Sequence, residues 1–234
     1  VVGATVSFSG GSGTSVSMTI GVSIGVNEID NTVEAYVKNA TLEAASGAVT
    51  IAATENAIIA ALAVAASLSG SSGTSGLSLS GGGADVSNVI LTNTSGNITG
   101  SVLKAPQGEI TVTTTSTSQI EAVVATVSVS VTGASSTAGG ASIGASRARN
   151  FVGVDIDGVH SAAESTAAIN SSELQAGGNL ALAATSNQTI AAEVWAASVA
   201  VSGGSSSFGL AGSGVETINT IYMDTAASID GAAP

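Results

Sequence analysis

One strand-like phrase returns three times along the chain and constrains its fold more than any other feature. It reads GAVTIAATENAIIAA at residues 47–61, GEITVTTTSTSQIEA at 108–122 and GNLALAATSNQTIAA at 178–192. The copies begin at Gly47, Gly108 and Gly178, so the second interval is longer than the first. Two other phrases recur before and after it in the same order. A long period of this kind predicts a repeat architecture, in which each unit buries its apolar side against its neighbours.

The recurring phrases predict one repetitive domain rather than two independent ones. Three phrases keep the same register, so the chain holds about three repeats and part of a fourth. We place the domain at residues 1–234 and the repeats at about 1–61, 62–122, 123–192 and, for the partial copy, 193–234.

Alternation of side chains within each repeat predicts β-strands. In TVEAYVKNATL, residues 32–42, Val33, Ala35 and Val37 share one face and Glu34, Tyr36 and Lys38 the other. AALAVAASLSG, residues 60–70, alternates larger apolar with small or polar side chains. A period of two with Val, Ile and Thr is typical of strands. The Gly/Ser clusters GGSGTS, GSSGTSG and GGSSSFG read as turns.

The fold class that follows is all-β, a parallel β-solenoid (β-helix). A coil with three sides of five or six residues uses about 20 residues, so one repeat would make about three coils. About twelve such coils at roughly 4.8 Å would form a rod about 55–60 Å long. Two alternatives stay open: an antiparallel β-sandwich or barrel, and a solenoid with one wide coil per repeat.

Composition narrows the function classes. The chain is 44% apolar with mean hydropathy +0.49, which predicts a folded protein. Its net charge is −12 with only 4 basic residues, which argues against nucleic acid and disfavours an anionic membrane surface. Cysteine is absent. The sequence contains no uninterrupted run of about 18 apolar residues, so it predicts no membrane-spanning helix. The chain begins without Met, and we expect it to be a piece of something longer.

Residues 22–62 resemble the repeats of very large bacterial surface and secreted proteins, of which filamentous adhesins of the haemagglutinin and leukotoxin type are examples. Asn27, Asn31 and Thr32 match an Asn-x-x-x-Asn-Thr-like turn of that family, and Asn219 and Thr220 match part of it in the last repeat. The middle copies, NVILTNTSGN and RARNFVGVDID, keep little of the motif. The resemblance implies an extracellular or cell-surface β-solenoid with an adhesive, scaffolding or fibre role.

The extra residues of the longer third repeat lie between Ser128 and Thr185, and polar chemistry in that region concentrates in RARNFVGVDIDGVH, residues 147–160. Asp155 and Asp157 would lie on the same side of a strand, and paired carboxylates before a glycine turn are a candidate calcium site. Two carboxylates are too few without further oxygen ligands. A carbohydrate-active β-helix enzyme would instead use such acids, or Asp with Arg, in catalysis. The third interpretation is a strand with solvated charges.

Trp195 is the single tryptophan of the chain and shares parity with Ala197, Val199 and Val201. We predict a core or end-cap position for it, with a sugar-stacking platform as the alternative.

The sequence therefore predicts a non-enzymatic structural or adhesive module of a giant extracellular fibre, acting as a rigid scaffold without cofactor. Expected partners are further copies stacked end to end, and a host surface or carbohydrate. The alternatives are a carbohydrate-active β-helix enzyme and a calcium-stabilised module of the surface-layer type.

Overall fold

The computed structural model describes residues 1–160 and 163–231, which form β-strands and no helix. In chain order the strands are β1 (Val2–Gly10), β2 (Thr14–Lys38), β3 (Thr41–Glu43), β4 (Val49–Thr99), β5 (Val102–Ala105), β6 (Ile110–Val152), β7 (Glu164–Asn170), β8 (Glu173–Ala176), β9 (Leu180–Gly203), β10 (Ser206–Ile221) and β11 (Asp224–Asp230). None of the described residues forms a helix long and apolar enough to cross a membrane.

The strands pair in parallel, each with a segment one sequence period away. β4 pairs with β6 from Val49↔Ile110 onward, and β6 pairs with β9 from Ile110↔Leu180 onward. The same relation joins β1 and β2 to β4, β10 to β6, and β11 to β7. The all-β class and the parallel sheet are thus confirmed. The antiparallel sandwich or barrel is wrong, because the antiparallel pairing among the described residues is one isolated bridge, Val154↔His160.

The spacing between paired residues shows that each turn of the curled sheet contains more residues than the sequence predicted. Val49 pairs with Ile110 and Asn93 with Glu164, so one turn uses a whole sequence repeat and not a third of one. The interpretation with three short coils per repeat is therefore wrong. β4 alone spans 51 residues, far longer than the sides of a narrow coil. The pairing places the chain on four successive levels of a curled parallel sheet: β1–β3, β4–β5, β6–β8 and β9–β11.

Each level is a flattened loop, because its long strand folds back on itself. In β4 the reversal lies near Gly73, where the register with β6 shifts. Inside the loop the two halves face each other through hydroxyl groups: Oγ of Ser67 lies 2.8 Å from Oγ of Ser80, and Oγ of Ser69 lies 2.8 Å from Oγ of Ser78. β3, β5 and β8 stack as a short third side that closes the loop.

The interior changes character along the flattened loop. Next to the short side it is apolar, with Ile98, Leu103, Ile110 and Val112 fully buried. Towards the reversal it is lined by buried serine and threonine, whose hydroxyls bond within and between levels. Such small side chains let two sheets approach closely, and their polar atoms are stabilised only when they are paired.

One corner of the loop uses a left-handed backbone at equivalent positions on all four levels. Asn39 (φ 52°), Gly100 (φ 56°), Ser171 (φ 47°) and Gly231 (φ 59°) follow β2, β4, β7 and β11. Glycine and asparagine tolerate this conformation, whereas serine is disfavoured there because its Cβ crowds the backbone. Ser171 is therefore the strained member of the set.

Replacing Ser171 by glycine is expected to raise the free energy of unfolding by about 0.5–1 kcal/mol, since glycine relieves the left-handed strain. Urea unfolding followed by circular dichroism measures the change. The matched control is Ser172→Gly, which removes a hydroxyl that donates to the Asn170 carbonyl (2.8 Å) and accepts from the Ser101 N–H (3.1 Å). That variant should lose about 1 kcal/mol. A less stable Ser171→Gly protein would contradict the strain argument.

Candidate functional site

The extra residues of the third repeat form an excursion from the sheet between β6 and β7. Ile90 of β4 pairs with Val152, whereas Asn93, shortly after it on the same strand, pairs with Glu164. The extra residues therefore lie between Val152 and Glu164, at the end of the segment singled out in the sequence. Residues 161 and 162 lie outside the described part of the chain.

Asp155 and Asp157 lie in a tight turn, not on one side of a strand, so that part of the sequence interpretation is wrong. Oδ1 of Asp155 accepts hydrogen bonds from the N–H groups of Asp157 (2.9 Å) and Val159 (2.8 Å). Gly158 supplies the left-handed position (φ 81°) that closes the turn. Aspartate commonly stabilises turns in this way. The described residues contain no group of three or more His, Cys, Asp and Glu side chains that could hold a metal, and calcium binding by this pair stays a prediction.

The excursion is held against the last level of the sheet. The rings of His160 and Tyr222 stack with centroids 4.3 Å apart at 33°. The Tyr222 N–H donates to the carbonyl of Val152 (2.8 Å). Gly153 (φ 73°) has no room for a side chain, because a Cβ there would overlap the Tyr222 carbonyl oxygen. The single histidine is therefore part of a packing contact at the rim of the sheet.

The two arginines of this segment point to an aspartate on the level below. Arg147 binds Asp85 with two hydrogen bonds, Nε to Oδ1 at 3.1 Å and Nη2 to Oδ2 at 2.6 Å, and Nη2 of Arg149 lies 3.7 Å from Oδ2. The hydrogen bond from Arg147 lowers the pKa of Asp85, and the same contact raises the pKa of Arg147. Such partly exposed pairs contribute at most about 1 kcal/mol. Their arrangement joins two levels of the sheet.

An unbroken column of asparagines runs through all four levels. Nδ2 of Asn27 donates to Oδ1 of Asn88 (2.8 Å), Nδ2 of Asn88 to Oδ1 of Asn150 (2.7 Å), and Nδ2 of Asn150 to Oδ1 of Asn219 (2.8 Å). Asn88 and Asn150 are fully buried. Every amide in the column donates in the same direction, so the column has an acceptor end at Asn27 and a donor end at Asn219.

Among the residues that the structure describes, Glu55 is a buried carboxylate without a basic partner. Its side chain is 3% exposed, Oε2 accepts from the Ser116 hydroxyl at 3.2 Å, and Oε1 has no hydrogen-bond partner among the described residues. Burial raises the pKa of this carboxyl above its ordinary value, against the opposing effect of its hydrogen bonds. In the next two levels the same register position holds Ser116 and Ser186.

Charge is confined to one half of the flattened loop. The half that contains the strand reversal, which we call the distal lobe, comprises residues 2–27, 56–84, 122–146 and 194–215 and carries no charged side chain. All 4 basic and all 16 acidic residues lie outside these stretches. The molecule is therefore acidic on one side and uncharged on the other.

The alternation in the distal lobe separates small side chains from large ones. Ala63, Ala65 and Ser69 point inward and are fully buried, whereas Leu62 and its apolar partners point outward. The larger apolar side chains therefore cover the outside, and the small and hydroxyl side chains fill the inside. Two exposed apolar faces result, one on each side of the lobe.

One of these surfaces, here the smooth face, has an apolar residue or glycine at every outward position. It consists of Val2, Ala4, Val6 and Phe8 of β1, Val64, Ala66, Leu68 and Gly70 of β4, Ala125, Val127, Val129 and Val131 of β6, and Trp195, Ala197, Val199 and Val201 of β9. Trp195 is 66% exposed here, so its predicted core position is wrong. Its parity with Ala197, Val199 and Val201 is confirmed.

The opposite surface, here the grooved face, is apolar but uneven. Bulky residues such as Ile20 and Ile143 alternate with glycines, and a groove of ≈ 460 Å³ follows Gly83, Ala145 and Gly214. Glu216 and the Asp85–Arg147 pair border this groove on the side of the acidic half. The two faces differ, then, in smoothness and in their nearness to charge.

These surfaces, and not the predicted carboxylate pair, are the features of the molecule most open to a partner. The sequence signal that could have found them is the run of serine, threonine or glycine at every second position in MTIGVSIGV and SLSGSSG, since it marks the inward side. Comparison of the chain with protein-family models, with curated proteins and with solved structures gives no match.

Proposed function

We propose that this chain is a non-enzymatic structural module of an extracellular fibre or surface adhesin, in which each sequence repeat contributes one wide coil of a parallel β-solenoid. The observation that carries the proposal is the parallel register. From β1 to β11, backbone pairing joins residues one period apart, as in Val64↔Ala125 and Ala125↔Trp195. A coil paired this way contacts only its neighbours, so the array extends by adding coils.

Side-chain columns support a scaffold function, because they fix the stacking of the coils. The asparagine column bonds four coils together, and the hydroxyl of Ser128 bonds those of Ser80 (2.9 Å) and Ser67 (3.1 Å) in the neighbouring coil. Buried polar columns of this kind resist sliding of one coil past another, since a shift in register would leave every member unpaired.

End-to-end stacking follows from the direction of the asparagine column. Oδ1 of Asn27 is the acceptor end and Nδ2 of Asn219 the donor end, so a coil placed beyond either end finds a complementary partner. β10 and β11 each pair on one side only, with β6 and β7. An unpaired strand edge is a template for another strand. We propose that further coils, of this chain or of another copy, continue the rod in both directions.

The acidic half fits exposure outside the cell. Its carboxylates keep a long rod soluble and hold parallel rods apart at that side. In the proposed function this half faces solvent and presents the fibre to a host surface or carbohydrate, as the adhesin-like repeats suggest.

Electron microscopy and X-ray fibre diffraction of the purified chain test this function. We expect thin filaments with an axial reflection at about 4.7–4.8 Å, the separation of paired strands. Val215→Lys should abolish the filaments, because Val215 has inward parity on the last level, and a coil stacked on that level would bury the added charge. The matched control, Val199→Lys, lies on the outer surface of the same level and should keep them.

Other outcomes would favour the alternatives. Isolated compact particles at all concentrations would argue against the fibre. Release of unsaturated uronate from a polysaccharide would favour a carbohydrate-active enzyme. A melting temperature that falls on addition of chelator, and that Asp155→Asn abolishes, would favour the calcium-stabilised module.

A further inference from the structure

We propose that the smooth face is a side-by-side dimer interface that takes a second copy of this chain. This lateral contact is distinct from the end-to-end stacking proposed above and does not depend on it. The face has four residues on each of four paired strands, and no bulge interrupts the register from Val2 to Phe8 or in the segments stacked on it.

The composition and area of the smooth face suit a protein partner. Phe8 is 71% and Trp195 66% exposed, and the residues between them offer no hydrogen-bonding side chain to water. Seven residues at about 3.3 Å and four strands at about 4.8 Å give a footprint of roughly 440 Å² per copy. Two copies would bury about 890 Å² in total, which is the size of a weak, transient interface. We therefore expect a dimer with a micromolar Kd.

The distribution of charge selects one orientation of the two copies. Each copy has a net charge of −12, carried entirely outside the distal lobe. If a two-fold axis parallel to the stacking direction relates the two copies, their uncharged lobes overlap. Their acidic halves then lie on opposite sides of the dimer. An axis along the strands would instead place the two acidic halves together, where like charges repel.

In this orientation the two smooth faces are complementary in size. On each level, the outward residue nearest the acidic half lies opposite the partner's outward residue nearest the strand reversal. Val64 then faces Gly70 of the second copy, and Trp195 faces Val201. In the two central columns Ala66 faces Leu68 of the second copy, and the reverse contact follows from the symmetry. In seven of the eight distinct pairs a larger side chain meets a smaller one, as close sheet packing requires, and the exception is Val127, which meets Val129.

The alternative occupant of an apolar face is lipid, and the tip of the lobe argues against it. The reversals carry exposed hydroxyl residues, among them Ser12, Ser136 and Ser205. If the lobe entered a bilayer tip first, these hydroxyls and the backbone of the turns would lie in hydrocarbon without water to bond them, which is costly. A second copy covers the face and leaves the tip in water.

Sedimentation velocity of the full chain from about 1 to about 100 µM, the range that brackets a micromolar Kd, tests the interface. We expect a monomer–dimer equilibrium in this range for the wild type. Val127→Glu places a carboxylate at the centre of the face, twice per dimer, and should weaken the Kd by at least about 100-fold. Ala197→Glu, one level further, should act alike. The matched control is Ile143→Glu, equally outward but on the grooved face, which should leave the Kd unchanged.

Cross-linking tests the orientation. The chain has no cysteine, so Val127→Cys introduces a unique thiol. In the proposed dimer the two thiols lie about 12 Å apart across sheets spaced about 10 Å, within reach of a short bismaleimide. Ile143→Cys should not cross-link under the same conditions.

Several results would overturn the lateral interface. The first is a wild-type protein that stays monomeric at the highest concentration. The second is association that persists in Val127→Glu. The third is an equal loss of association in Val127→Glu and Ile143→Glu, with native circular dichroism in both variants. Association that survives Val127→Glu but is lost in Val215→Lys is end-to-end, so it would contradict this inference and support the proposed function. A monomer that floats with neutral phosphatidylcholine vesicles through Val127 would identify the occupant as lipid and not a second copy.

Discussion

Asn88→Asp is expected to lower the free energy of unfolding by about 3–5 kcal/mol, because it leaves a charge buried and unpaired in the asparagine column. Asn88 is fully buried and both accepts from Asn27 and donates to Asn150. Aspartate keeps the acceptor but loses the donor, and its second carboxylate oxygen then faces Oδ1 of Asn150. Urea unfolding measures the loss at neutral pH, and protonation of the aspartate in acid should recover part of it.

The direction of the column provides the control. Asn219 is the last acceptor, at 2.8 Å from Nδ2 of Asn150, and it is exposed. Asn219→Asp therefore keeps its hydrogen bond and should change stability by no more than about 0.5 kcal/mol. Asn27→Asp, at the exposed opposite end, loses a donor and should cost about 1 kcal/mol. Equal costs at Asn27 and Asn219, or a mild Asn88→Asp, would contradict an ordered column.

The asparagine column also shows where sequence comparison of the repeats falls short. That comparison recognises Asn27 and Asn219 as parts of a turn motif, but it treats the segments that hold Asn88 and Asn150 as diverged. The spacings along the column are unequal: 61 from Asn27 to Asn88, 62 from there to Asn150, and 69 from Asn150 to Asn219. The register shift near Gly73 and the excursion after Val152 disturb a fixed period, but backbone pairing restores the column.

Periodicity predicts strands correctly but not the side of the sheet on which each residue lies. In AALAVAASLSG the period of two is the same whichever set of alternate residues faces inward. Hydrophobicity alone favours burial of Leu62, Val64 and Leu68. The structure buries the other set, because two sheets that approach through small side chains leave no room for leucine. The Gly/Ser cluster GSSGTSG, residues 70–76, marks where β4 folds back near Gly73, but a turn signal does not say which strands pair, so the size of the coil escapes prediction.

The buried carboxylate of Glu55 also escapes prediction, because Glu55 lies in a phrase that reads as an ordinary strand. A group with a raised pKa in the native state binds its proton more tightly there than in the unfolded chain. Its contribution to stability is fully present below the ordinary pKa of 4.5 and is lost as pH rises through the native pKa. At neutral pH the buried carboxylate therefore destabilises the protein.

Glu55→Gln is expected to stabilise the protein at neutral pH by about 1–3 kcal/mol, because a neutral amide costs less to bury than a carboxylate with one oxygen unpaired. The melting temperature should rise by about 2–4 °C for each kcal/mol. The advantage over wild type should shrink as pH falls and vanish below the ordinary pKa of 4.5. Comparing the two proteins at each pH removes the general effect of the acidic surface.

Glu121→Gln is the matched control for this effect. Glu121 lies on β6, is exposed, and accepts a hydrogen bond from Gln119 at 2.7 Å. The same change of one carboxylate to an amide should alter stability there by no more than about 0.5 kcal/mol at any pH. If both variants gained equally, the gain would come from reducing the net charge of −12, and burial of Glu55 would not be its cause. If only Glu55→Gln gains stability and this gain disappears in acid, its cause is the burial of the Glu55 carboxylate by the stacked coils.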